Sequence, residues 1–173
     1  DISLGLDLSA EELAWGGGGP TATMAHVAEA IGADDLHTNG ITGQGVGIAI
    51  IDTGVADLPD FAGRRVGMLD LSGDGDDVDR YGHGTFIAGI AAGDGSSSGG
   101  QRVGVAPGAH VVPVKIAGRN GASDISHVLA AIQYVVSFRD TLGIGVLNLS
   151  LGTDSDQSPV SYTHLTLPTI YSV

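Results

Sequence analysis

The 173-residue sequence contains no cysteine, so neither a disulfide nor a thiolate metal site can contribute to its fold or chemistry. Basic residues are scarce: Lys and Arg number 7 against 20 Asp and Glu, a formal net charge of −13. A surface of that sign is repelled by phosphate backbones and by anionic lipid. Neither nucleic acid nor a membrane surface is an expected partner, and the charge itself serves solubility. No apolar run is long enough to cross a bilayer, and the residues from Asp1 onward lack the pattern of a secretory signal. There is no Lys-containing phosphate loop and no His-Glu-x-x-His zinc motif. Gly43-Gln44-Gly45 precedes a strand-like run, whereas a dinucleotide loop follows one. What is present is 42% hydrophobic and 16% charged, the balance of one globular domain with a core of its own.

Residues 1–20 read as a flexible tail or linker, closed by four glycines and Pro20. An Ala-rich stretch over residues 21–36 predicts a helix. The turn formers of residues 39–45 lead into Val46-Gly47-Ile48-Ala49-Ile50-Ile51, a short apolar run bounded by turns and therefore a buried parallel strand. A second strand is expected over residues 65–69, a small apolar helix over 83–92, a third strand over 111–116 and a fourth over 144–149. Ser123 is placed to cap a helix whose Ile125, Val128, Leu129, Ile132, Val135 and Val136 recur on one face. Strand alternating with helix is the order of an α/β fold with a mainly parallel sheet.

Asp52 directly follows the first strand, at the carboxyl edge where open α/β sheets build their sites. Taken alone, an Asp there is more often the cap of the next turn. His83 lies between Gly82 and Gly84 at the head of an apolar helix, where flanking glycines permit close backbone approach and leave the ring accessible. Taken alone, it could equally be a structural histidine. The acidic loop around Asp74, Asp76, Asp77 and Asp79 offers the oxygen ligands calcium prefers, but it lacks EF-hand spacing and is expected to be a solvated loop. Gly95-Ser96-Ser97-Ser98-Gly99 matches a nucleophile elbow in letters only, since an elbow follows a strand and opens a helix. His26, His37, His110 and His127 have no evident partners.

Taken together, the passages say more. Ile51-Asp52-Thr53-Gly54, followed 31 residues later by Gly82-His83-Gly84-Thr85, resembles the Asp and His signatures of the subtilisin family of serine proteases, in the order that family uses. Gly104-Val105-Ala106-Pro107-Gly108 resembles the turn before its next strand. Asn148-Leu149-Ser150-Leu151-Gly152 resembles its substrate-binding segment. These motifs cover residues 41–153. The resemblance implies a three-layer α/β fold, here incomplete, over residues 21–159. It implies a catalytic Asp52 that orients His83, and a His83 that takes a proton from a serine. It implies an extended polypeptide substrate lying between Ser150, Leu151 and Gly152 on one side and Gly121 on the other. It implies a secreted endopeptidase that needs no cofactor for its chemistry, with room for calcium in the intact protein.

Two departures accompany it. Phe86 stands where relatives often carry a second His, at a position expected to pack. The Gly-Thr-Ser nucleophile motif and the Ala-Gly-Asn oxyanion motif are both absent from the 173 residues, so this chain is expected to be inactive alone. Residues 160–173 break the pattern; Val160-Ser161-Tyr162-Thr163-His164-Leu165 matches a translated sequencing adapter, and the segment is expected to be a non-native scar. Because the family sheet continues past residue 153, an uncovered strand edge and apolar face are expected. The competing readings are a non-catalytic binding or regulatory domain on the same fold, and a metal-assisted hydrolase using Asp52 and His83.

Overall fold

A computed structural model describes residues 23–152; the expected tail and the expected scar lie outside the described residues. The elements run α1 (Met24–Ile31), α2 (Ala33–Thr38), β1 (Gly47–Asp52), β2 (Leu69–Asp70), α3 (His83–Ala92), β3 (His110–Lys115), α4 (Ile125–Phe138) and β4 (Ile144–Leu149). The sheet order is β2-β3-β1-β4, with every neighbouring pair parallel.

β1 is central and buried at all its positions, which is why it reads as an unbroken apolar run instead of alternating with polar residues. Its side chains still alternate between two cores. Ile48 and Ile50 meet Ala88, Ala92, Phe61 and Val111 on the α3 side. Ala49 and Ile51 meet Val112, Val114, Ala131 and Val135 on the α4 side. Helix, sheet and helix thus form three layers. Fully burying an Ile such as Ile50 or Ile51 contributes about 1.5–3 kcal/mol, so the strand that ends in Asp52 is firmly held in the sheet.

Several local expectations need correction. The helix expected over 21–36 is two helices, broken at Gly32, whose φ of 72° is left-handed; the Ala-rich composition hid a glycine C-cap. The strand expected over 65–69 is reduced to Leu69–Asp70 plus one isolated bridge from Arg65 to Val111. Asp124, not Ser123, caps α4, accepting from the Ser126 amide at 2.8 Å; the Ser123 hydroxyl donates instead to the Ile116 carbonyl. Only half of the apolar arc of α4 faces the sheet. Val128, Ile132 and Val135 pack there, while Ile125, Leu129 and Val136 are exposed among the described residues.

The histidines without evident partners mostly have one. His37 Nε2 donates to the Val105 carbonyl, and His110 Nε2 to the Leu142 carbonyl. His26 Nδ1 accepts from the Thr23 amide. His127 Nδ1 is buried without a partner among the described residues.

Candidate functional site

Both ends of α3 are pinned. At its C-terminus the amides of Gly104, Val105 and Ala106 donate to the carbonyls of Gly93, Ile90 and Ala91 at 2.8–2.9 Å. These are the carbonyls that a helix end leaves without partners. Gly104 is needed there, because a Cβ would fall 2.7 Å from the Gly89 carbonyl oxygen. The turn before β3 is therefore a clasp on the helix that carries His83.

At the N-terminus the cap residue is Gly82, at φ 95°, with no side chain to offer. Asp79 and Thr53 take over. Asp79 Oδ1 accepts from the Thr53 hydroxyl and from the amides of Tyr81 and Gly82; its Oδ2 accepts from the amide and hydroxyl of Thr85. The Thr53 hydroxyl in turn accepts from the Gly84 amide at 2.9 Å, and the Ala56 amide donates to the Thr85 hydroxyl at 2.9 Å. Burial pushes the Asp79 carboxyl up, but hydrogen bonds from Thr85, Gly82 and Thr53 outweigh it and hold the group below the ordinary carboxylate value.

The result at the rim of the sheet is a close pair. His83 Nδ1 lies 2.8 Å from both carboxylate oxygens of Asp52. Asp52 is 2% exposed, and its Oδ1 also accepts from the Thr53 amide at 2.7 Å. With the carboxylate ionised it can only accept, so the proton sits on Nδ1 and the lone pair of the neutral ring on Nε2. The imidazole is 41% exposed. One ring nitrogen is thus fixed by a buried acceptor while the ring itself faces outward, an arrangement able to accept and return a proton.

The acidic run is the surface loop expected, with Gly73, Asp74, Gly75 and Val78 exposed, but three of its carboxylates pair with cations of the chain. Lys115, 1% exposed at the end of β3, donates to Asp74 at 2.9 Å and to the carbonyls of Asp76 and Val78. Arg80 pairs with Asp76, whose carboxyl its guanidinium holds far below the usual range. Arg65 pairs with Asp77 at 3.0 Å. The loop is compensated by cations of the chain itself. Among the described residues no three His, Asp or Glu side chains converge as a metal site.

The remaining expected site residues lie on the same rim. β3 and β4 flank β1, with Lys115 in register with Asp52 and Leu149 with Ile51. The segments that leave them, 116–124 and 150–152, therefore depart on either side of Asp52. Gly121 has φ 70°, and a Cβ on it would meet the Tyr81 ring at 2.7–3.0 Å. Ser150 Oγ accepts from Asn148 Nδ2 at 2.9 Å; Leu151 and Gly152 are exposed. Phe86, expected to pack, is instead 64% exposed among the described residues, because α3 turns only Gly84, Ala88 and Ala92 fully inward. Ser96–Ser98 forms a short 3-10 turn after α3, which is not the strand-to-helix setting of an elbow.

Sequence reasoning missed Asp79 and Lys115. The signals were an acidic residue just ahead of a helix start and a lone Lys inside an apolar strand, a residue type that is rarely buried without a partner.

Comparison with known proteins agrees with this architecture. Residues 43–170 match the Subtilase family. The serine protease AprX of Bacillus subtilis is 32% identical over 140 residues, covering 78% of this chain and 32% of that protein. Subtilisin Savinase of Lederbergia lenta is 36% identical over 123 residues, covering 71% of this chain and 43% of that protein. The thermostable alkaline protease of Halalkalibacterium halodurans is 35% identical over 130 residues, covering 74% and 34% respectively. With its parallel sheet, its flanking helices and these matches, the chain belongs to the subtilase family. It spans between 32% and 43% of the length of these relatives.

Proposed function

We propose that the whole protein is a secreted serine-type endopeptidase and that this chain carries the acid and base of its triad. The observation that carries the reading is the 2.8 Å approach of His83 Nδ1 to the buried Asp52 carboxylate. In the reaction, His83 Nε2 removes the proton of a serine hydroxyl as that oxygen attacks the scissile carbonyl. It then delivers the proton to the leaving amine. Asp52 holds the ring in the required tautomer and stabilises the imidazolium, remaining ionised throughout. Ser150, Leu151 and Gly152 on one side and Gly121 on the other bind an extended polypeptide through its backbone, a mode supported by the departure of both segments beside Asp52.

The chemistry needs no cofactor. The intact protein has room for calcium, and in the acidic loop Asp74, Asp76 and Asp77 already pair with Lys115, Arg80 and Arg65. Neither the nucleophile nor the oxyanion Asn motif occurs in the 173 residues, so the chain alone is inactive. Loss of the nucleophile alone costs about 10⁶-fold in turnover in the subtilisin that serves as the general reference.

The test uses the complete coding sequence and the chain side by side. The complete protein should hydrolyse peptides and be labelled by a serine-reactive phosphonate, and Asp52→Asn should lower kcat by about 10⁴-fold. The purified 173-residue chain should take no label. Labelling of that chain, or a complete protein without a downstream serine motif, would overturn the reading, the latter in favour of a binding module.

A further inference from the structure

We propose that Asp79 is a positioning residue for the Asp52–His83 pair, an inference that rests on reading those two groups as acid and base. Two chain segments must meet for the pair to form: the end of β1 with Asp52, and the start of α3 with His83. The sheet fixes the first. The helix offers no side-chain cap of its own for the second, because its cap residue, Gly82, has no side chain.

The Asp79 carboxylate spans the gap. It reaches Thr53, next to Asp52, and Tyr81, Gly82 and Thr85, which bracket His83. The Thr53 hydroxyl closes the ring by accepting from Gly84. A carboxylate suits this place because it only accepts, with about four lone-pair sites, and every neighbour here donates. Its negative charge also suits the start of a helix. Asp79 touches neither Asp52 nor the imidazole by hydrogen bond; it sets where the second stands relative to the first. Thr53 transmits the restraint, and Lys115 holds the preceding loop through Asp74 and the Val78 carbonyl.

The experiment reads the hydrogen-bonded Nδ1 proton of His83 as a far-downfield resonance in the ¹⁵N-labelled, purified chain. Asp52→Asn assigns it by removing it. Asp79→Ala is expected to abolish the resonance, and so is Thr53→Val, whereas Thr53→Ser, which keeps the hydroxyl, retains it. Asp76→Asn removes the same charge from the same loop without touching the pair and should retain it. Amide signals of β1 and β3 report that each variant is folded; should Asp79→Ala not fold, Thr53→Val carries the test. A resonance that survives Asp79→Ala and Thr53→Val but not Asp52→Asn overturns the positioning role alone. Loss in Asp76→Asn as well also overturns it, since the effect would then belong to the loop as a whole. A resonance unaffected by Asp52→Asn would instead overturn the pairing of Asp52 with His83.

Discussion

Gly84 passes so near the end of β1 that a Cβ on it would lie inside van der Waals contact of the Gly54 carbonyl oxygen and 3.0 Å from Asp52 Cβ. This approach sets the reach of the neighbouring His83. Gly84→Ala should therefore force α3 and β1 apart, destabilising the chain by about 1–3 kcal/mol as overpacking does. A lower denaturant midpoint at unchanged slope is the expected reading.

Lys115 donates to one carboxylate and two carbonyls from a buried position. Lys115→Met conserves much of its length but leaves those acceptors without their donor, which should cost about 1–3 kcal/mol. Faster amide exchange across residues 70–82 should accompany the loss in a hydrogen-exchange measurement, while β1 stays protected.

Acid should weaken the same loop. Asp70, Asp76 and Asp79 are all held below the ordinary carboxylate value of 3.8. For Asp70, burial raises the carboxyl and hydrogen bonds from Ser72 and Gly75 more than reverse it; for Asp76, Arg80 leads the lowering. Each group binds a proton less readily folded than unfolded, so its contribution is complete above that value, starts to fall there, and is gone only once pH has dropped through the group's lower folded-state value. Thermal midpoints recorded from pH 6 downward should hold steady and then decline below about pH 4; a midpoint that rises on acidification would contradict this.

Among the described residues Leu129 and Val136 are 56% and 69% exposed on the outer half of the α4 arc, and β4 is an edge strand. The isolated chain should self-associate through such surface. Leu129→Lys with Val136→Lys should lower light scattering while shifting stability by only about 0.5 kcal/mol each, as exposed substitutions do. Unchanged scattering would point to the strand edge instead.

The strands at 47–52, 110–115 and 144–149 and the helix at 83–92 were legible because each is a short apolar run with turn formers at its ends. Asp52 and His83 were legible as motif residues, and their meeting needed only the rule that parallel strands end on one rim. Asp79 was not separable from its neighbours by composition. One Asp among five in a short run declares nothing until the chain folds and brings Thr53, 26 residues earlier, beside it. Lys115 and Asp74 are likewise 41 residues apart. The break at Gly32 was missed for a different reason: helix propensity sums over a window, and one glycine barely changes the sum while ending the helix.

Lys115 is also the only lysine in the 173 residues, and it is 1% exposed. Apart from the terminal amine, an acylating reagent has no other amino group to find. Modification at this one position can proceed only when the acidic loop swings off the sheet. The rate at which a label accumulates there would report how much of the time the loop stands open, without any engineered probe.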